Sequence, residues 1–136
     1  MKLVKIVNSQ QMYEVDQRTI CEFGTAGREL MERAGKAVVE AIAARWDGLA
    51  GLQVVVICGK GNNGGDGYVV ARLLQQNAAQ VDLFLATNRV AVGGDAADHL
   101  FEMEQAGVRV NELSDCEFEA LDRAIVAVSY THLTLP

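Results

Sequence analysis

At 136 residues, half of them hydrophobic and 22% charged, the sequence has the size and composition of one globular domain, which excludes a disordered or fibrous chain. The formal net charge of −6 argues against a general nucleic-acid binder, which needs Lys and Arg to meet backbone phosphates. No apolar run approaches the ~20 residues of a membrane-spanning helix and no charged-then-apolar leader opens the chain, so no membrane association is expected. The three cysteines, Cys21, Cys58 and Cys116, show no CxxC spacing. Neither a disulfide framework nor a zinc site is indicated, and a reducing cytoplasm is the expected compartment.

Taken in order, Ser9 is a candidate N-cap for a first helix reaching about Glu22, with Gly24 as its terminator. Met12, Val15, Thr19 and Ile20 make its apolar stripe and are assigned to the core, while Asp16 faces elsewhere. Thr25 is a candidate cap for a second helix continuing to about Trp46. Its apolar positions Leu30, Met31, Ala34, Val38, Ala41 and Ile42 fall at helical spacing. Gly35 inside this helix costs about 1 kcal/mol relative to Ala, a cost that close approach of another backbone would explain.

Residues 54–58 are a short, β-branched apolar run, the pattern of a parallel strand buried on both faces. Five glycines then fall between positions 59 and 67. They predict a turn that reaches positive φ and lets a ligand approach the backbone. Beyond Asp66, positions Val69, Val70, Leu73 and Leu74 define one helical face, leaving Arg72, Gln75 and Gln76 for solvent or flanking contacts. The unit reads strand, Gly-rich loop, helix, with Asp66 capping the helix. A helix N-terminus offers unpaired N–H groups and partial positive charge to a phosphate. Asn62 and Asn63 add amides able to contact hydroxyls or a cation.

The spacing Gly59-x-Gly61-x-x-Gly64 also fits the dinucleotide-binding pattern, which alone is unspecific. A redox Rossmann site requires an acid near the end of the following strand. That strand, residues 80–86, runs into Thr87-Asn88, and its one acid, Asp82, lies near its start. A dehydrogenase is therefore disfavoured. A Walker phosphate loop is excluded, since Lys60 precedes the glycine pairs and no Ser or Thr follows it.

Downstream, Gly93-Gly94-Asp95 opens a further amphipathic helix over residues 96–105, stopped by Gly107. His99 on this helix lacks a His or Cys at ligand spacing and is assigned a structural or surface role. Cys58, at a strand end, is read as a small hydrophobe. Residues 108–110 form a short strand, Glu112, Asp115, Glu117, Glu119 and Asp122 a solvated acidic stretch, and residues 124–128 another buried strand. Strands and helices alternate with connections too long for hairpins. The predicted fold is α/β, a three-layer Rossmann-like sandwich with a mainly parallel sheet, incomplete at its C-terminus.

Cys58-Gly59-Lys60-Gly61-Asn62-Asn63-Gly64-Gly65-Asp66-Gly67 closely resembles the signature of the NAD(P)H-hydrate epimerase family, the YjeF N-terminal domain. Met12-x-x-x-Asp16, Phe23-Gly24 and Leu30-Met31-Glu32-Arg33-Ala34-Gly35 resemble that family's N-terminal helices. The resemblance implies epimerisation of the R and S forms of NADHX and NADPHX, the hydrated reduced nicotinamide cofactors. It implies substrate binding by Asn62, Asn63, Gly64, Gly65 and Asp66, and a potassium ion (K+) held in part by Asn63. A homodimer, and a dehydratase fused in the full-length parent, are further expectations from it. The alternative is a non-catalytic nucleotide- or protein-binding domain of the same fold.

Residues 1–128 read as a partial domain of this family and 129–136 as a non-native tail, the product of adapter read-through. The family's catalytic Asp follows the strand at Ile125-Val126, and Ser129-Tyr130-Thr131-His132-Leu133-Thr134-Leu135-Pro136 does not match it. No catalytic residue is therefore assigned. Tyr130 and His132 are not taken as substitutes, and the chain alone is expected to be inactive.

Overall fold

The alternation of short β-branched runs with helical periodicities is realised as a parallel sheet carrying helices. The computed structural model describes residues 6–113 together with Leu121 and Arg123. The helices are α1 (Ser9–Phe23), α2 (Gly27–Trp46), α3 (Asn62–Gln76) and α4 (Gly94–Gln105), and the strands are β1 (Gln53–Cys58), β2 (Gln80–Leu85) and β3 (Arg109–Glu112). A 3-10 turn over Arg89–Ala91, not foreseen in the sequence, links β2 to α4. The predicted strand 124–128, the acidic stretch beyond Glu112 and the tail 129–136 lie outside the described residues.

Both strand pairs are parallel, in the order β1-β2-β3, with Val56 beside Leu83 and Leu83 beside Val110. The helix-facing line of the sheet is Val54, Val56 and Cys58, then Val81, Leu83 and Leu85, then Val110. These residues pack against Tyr68, Val70, Ala71 and Leu74 of α3 and Leu100 and Met103 of α4. Burying each large apolar side chain completely, as at Leu74, Leu83 and Leu85, contributes about 1.5–3 kcal/mol. The described residues thus supply the sheet and one helix layer. β1 is not buried on both faces as its composition predicts, because Ile57 on the opposite face is 53% exposed.

α3 is the central helix, flanked by α2 and α4. All three run the same way. Gly65 of α3 lies against Met31 of α2 and Gly35 against Val69, while Gly65 also meets Ala96 and Arg72 approaches Glu102. Their N-termini therefore gather at one end, beside the carboxyl end of β1. Gly35 has the reason its sequence context suggests: a Cβ there would stand 2.4 Å from Val69 Cγ1 and 3.3 Å from the Val70 backbone nitrogen. The inward line of α2 is Met31, Gly35 and Val39, whereas Ala34, Val38 and Ala41, which share the helical apolar spacing, are exposed.

Cap chemistry departs from expectation at three helices. Asn8, not Ser9, caps α1, accepting from the Gln11 amide at 2.8 Å while Gln11 Oε1 accepts from the Asn8 amide at 3.0 Å. α2 starts after Ala26 with no side-chain cap, so Thr25 does not act as one. α3 is capped by the backbone of Gly61, and Asp66 lies too far along the helix to cap it. None of the α1 residues is buried, so the stripe Met12, Val15, Thr19 and Ile20 is not core. Its capping box, the left-handed Gly24 and the Arg18–Glu22 pair hold α1 by local chemistry.

Candidate functional site

The segment 62–66 is helix, not loop. Gly61 takes an extended N-cap conformation, and the first intrahelical bond runs from the Gly65 amide to the Gly61 carbonyl at 3.0 Å. The amides of Asn62, Asn63 and Gly64 precede that bond and have no partner within the helix. Asn62 and Asn63 are exposed, Gly64 and Gly65 are buried and Asp66 is half-buried. The turn therefore presents two amide side chains, unpaired backbone N–H groups and one carboxyl at the carboxyl end of β1. In parallel α/β sheets that is where ligands bind.

The glycines are required for close approach and not, as the sequence suggested, for positive φ, since none of the five between 59 and 67 has it. A Cβ on Gly64 would stand 2.0 Å from the Gly59 carbonyl oxygen, one on Gly65 2.6 Å from Met31 Sδ, and one on Gly67 2.5 Å from Cys58 Sγ. Gly59 and Gly61 differ, because a Cβ on either would meet nothing within 4 Å. The fold does not need glycine at those two positions, while a ligand lying on the backbone would. Gly59 and Gly61 are thereby candidate site residues, which spacing alone did not separate from the packing glycines.

Tyr68 fixes the turn from below. It is fully buried and its hydroxyl donates to the Gly59 carbonyl at 2.8 Å, tying α3 back to the end of β1. Burial, and after it the neighbouring Cys58, pushes the Tyr68 phenol up to about 12, and burial alone pushes the Cys58 thiol up to about 12. Both stay protonated at neutral pH. Cys58 is the small hydrophobe expected and no nucleophile.

Asp66 is the ionisable group of the turn. Burial raises its carboxyl above the ordinary carboxylate range, Asp16 on α1 raises it further, and His99 on α4 opposes them. Asp16 thus belongs to the surroundings of the turn and is not an isolated surface charge. His99 is structural: 1% exposed, with Nε2 3.1 Å from the Arg28 carbonyl oxygen. Arg72, left by its helix position for solvent or flanking contacts, takes the second: it is largely buried and paired with Glu32 of α2. A cleft of about 440 Å³ lies between α2, α3 and α4, with Arg28, Glu32, Arg72 and Glu102 over His99. Its charges are paired with one another, and none of residues 62–66 lines it. Among the described residues no group of three His, Cys, Asp or Glu side chains could hold a metal.

The conserved pattern of the YjeF-related protein N-terminus matches residues 27–128. A protein of Rhodobacter capsulatus named NAD(P)H-hydrate epimerase is 34% identical over 98% of the chain and 66% of its own length. A protein of Moorella thermoacetica, named a bifunctional NAD(P)H-hydrate repair enzyme, is 35% identical over 96% of the chain and 24% of its own length. The crystal structure of the yeast protein YNL200c superposes with a TM-score of 0.70 at 27% identity, covering 85% of the chain and 50% of the yeast protein. The chain spans two thirds or less of the length of these relatives. The matched pattern contains the whole strand–turn–helix unit built around residues 58–67, and the chain belongs to the YjeF-related N-terminal family.

Proposed function

We propose that the chain binds hydrated NADH and NADPH at the turn 62–66 and serves the interconversion of their R and S epimers. The observation that carries this is the exposed first turn of α3, with its unpaired amides and the bare backbone of Gly59 and Gly61. Such a surface takes phosphate through N–H groups and helix-terminal charge, although the chain as a whole is acidic. Asn62 and Asn63 are placed for ligand hydroxyls or amides. Asp66, with its raised pKa, keeps a proton to higher pH than an ordinary carboxyl and can donate it in a hydrogen bond to a ligand oxygen.

Potassium belongs to the same reading. The exposed Asn63 fits as a donor, since its side-chain carbonyl is the neutral oxygen a hard monovalent cation takes. The positive end of α3 disfavours a lone cation there, so a bound ion needs ligand phosphate beside it. A bound potassium would supply charge balance to that phosphate. A homodimer, a dehydratase fused in the parent and a cytoplasmic setting complete the proposal. The unpaired thiols of Cys21 and Cys58 suit a reducing compartment.

Chromatography of hydrate mixtures tests the proposal, with R-to-S conversion followed in the presence of a dehydratase that consumes the S form. Conversion is expected from a longer parent carrying this turn, faster in potassium than in lithium and lost with Asp66→Ala. Hydrate binding without conversion in that parent would instead identify a non-catalytic binding domain.

A further inference from the structure

Gly65 occupies a slot between two helices that meet each other over a small area. On one side stands Met31 of α2, on the other Ala96 of α4, at 2.6 and 3.3 Å from where a Gly65 Cβ would be. One turn away along each helix, α2 and α4 are tied directly. Arg28 lies three residues before Met31, and His99 three residues after Ala96. His99 Nε2 stands 3.1 Å from the Arg28 carbonyl oxygen. A carbonyl only accepts, so Nε2 carries the proton and donates it. Nδ1 is 3.3 Å from Glu102 Oε2 but makes no hydrogen bond. The Glu102 carboxylate in turn pairs with the Arg28 guanidinium and lies 4.0 Å from Arg72 Nε.

Arg28 is thus held to α4 twice, through its backbone by His99 and through its side chain by Glu102. The two bonds differ in kind. The Arg28–Glu102 pair is half-exposed and contributes little. The His99 bond is part-buried and comes from a fully buried ring. The Arg28 carbonyl also lies within α2, so the bond adds a tie between helices to the one the carbonyl makes along its own helix.

We propose that His99 is a positioning residue for the ligand-binding turn. Its bond to the Arg28 carbonyl fixes the gap between α2 and α4 that receives Gly65, and so sets where the amides of residues 62–64 stand. This rests on the reading of residues 62–66 as the ligand site. The electrostatic reach of His99 to Asp66 agrees with the same placement.

The test uses the 136-residue chain with His99→Leu, His99→Gln and Met103→Ala. Gln places an amide nitrogen where Nε2 stands and can donate to Arg28, while Leu cannot. Met103 is fully buried on α4, so its truncation loosens the core without touching the tie. The readouts are NMR shifts and hydrogen exchange of the Gly64, Gly65 and Asp66 amides, and calorimetric affinity for NADPH hydrate. His99→Leu is expected to move those amides and weaken binding on the order of tenfold or more. His99→Gln should restore both, and Met103→Ala should lower the melting temperature while changing neither. Unmoved amides in His99→Leu, or equal changes in Met103→Ala, would overturn the proposal. If His99→Leu does not fold, His99→Asn, polar but too short to reach the carbonyl, carries the same expectations. Failure of the wild-type chain to bind hydrate would refute the ligand reading instead, and the amide comparison would still decide the role of His99.

Discussion

Gly61 and Gly64 are indistinguishable in the sequence and lack side chains for opposite reasons. At Gly64 a Cβ would collide with a backbone oxygen 2.0 Å away, which cannot swing aside as a side chain would. Gly64→Ala should therefore cost about 3 kcal/mol or more, at the upper end of overpacking effects, and lower the melting temperature sharply. Around Gly61 nothing lies within 4 Å and φ is −89°, so Gly61→Ala should cost no more than about 1 kcal/mol, the preference for Gly over Ala at an N-cap. The same substitution should weaken hydrate binding. Thermal melts beside calorimetry separate the two cases, and equal losses of stability would contradict the packing account. Asp66 gives a pH prediction with a definite sign. Its folded form holds the proton more tightly than the unfolded chain does. Stability from this group is full below the unfolded value of about 3.9 and is lost as pH rises through the raised folded value. Asp66→Asn, which cannot ionise, should melt higher than wild type at neutral pH, with the advantage shrinking towards pH 3. An advantage that is constant with pH would show that the carboxyl is not destabilised by ionisation.

Elements were legible where one signal dominated. The runs at 54–58 and 80–86 appear as β1 and β2, and Gly107 ends α4 in the left-handed conformation, with φ +90°. The start of α3 was not legible, because Asn-Asn-Gly-Gly is among the poorest helix-forming sequences by propensity. Tertiary contact accompanies the helix against that propensity: Gly64 lies on the Gly59 carbonyl and Gly65 on Met31, approaches that a Cβ at either position would block. α1 shows the reverse failure. Apolar spacing placed Met12 and Val15 in the core, yet they are 47% and 50% exposed. Periodicity reports which residues share a face, not whether anything covers that face. Replacing Met12 by Gln and Val15 by Thr together should shift stability by no more than about 0.5 kcal/mol. A large drop in the melting temperature would show α1 packed in solution.

At the scale of the whole molecule, the sequence conveys the parallel α/β class because alternating strands and helices leave few other topologies. Parallel strands joined by crossovers already make α3 and α4 run one way. What the sequence does not convey is that α2 lies beside α3 in the same direction, which follows from side-chain contacts such as Gly35 on Val69. The shared direction bears on the proposed site. It brings three helix N-termini to the end of the sheet where Asn62, Asn63 and Asp66 sit, concentrating partial positive charge on an acidic chain. Which carboxyl lies near which was equally hidden, because Asp16, Asp66 and His99 are brought together from three different helices. The central claim, that the first turn of α3 is the ligand site, is tested most directly by titrating NADPH hydrate into the wild-type chain and three variants by calorimetry. Asn63→Ala and Asp66→Ala are expected to weaken binding on the order of tenfold or more, while Glu112→Ala, at the exposed end of β3, leaves it unchanged. Equal affinities for all three variants would contradict the account.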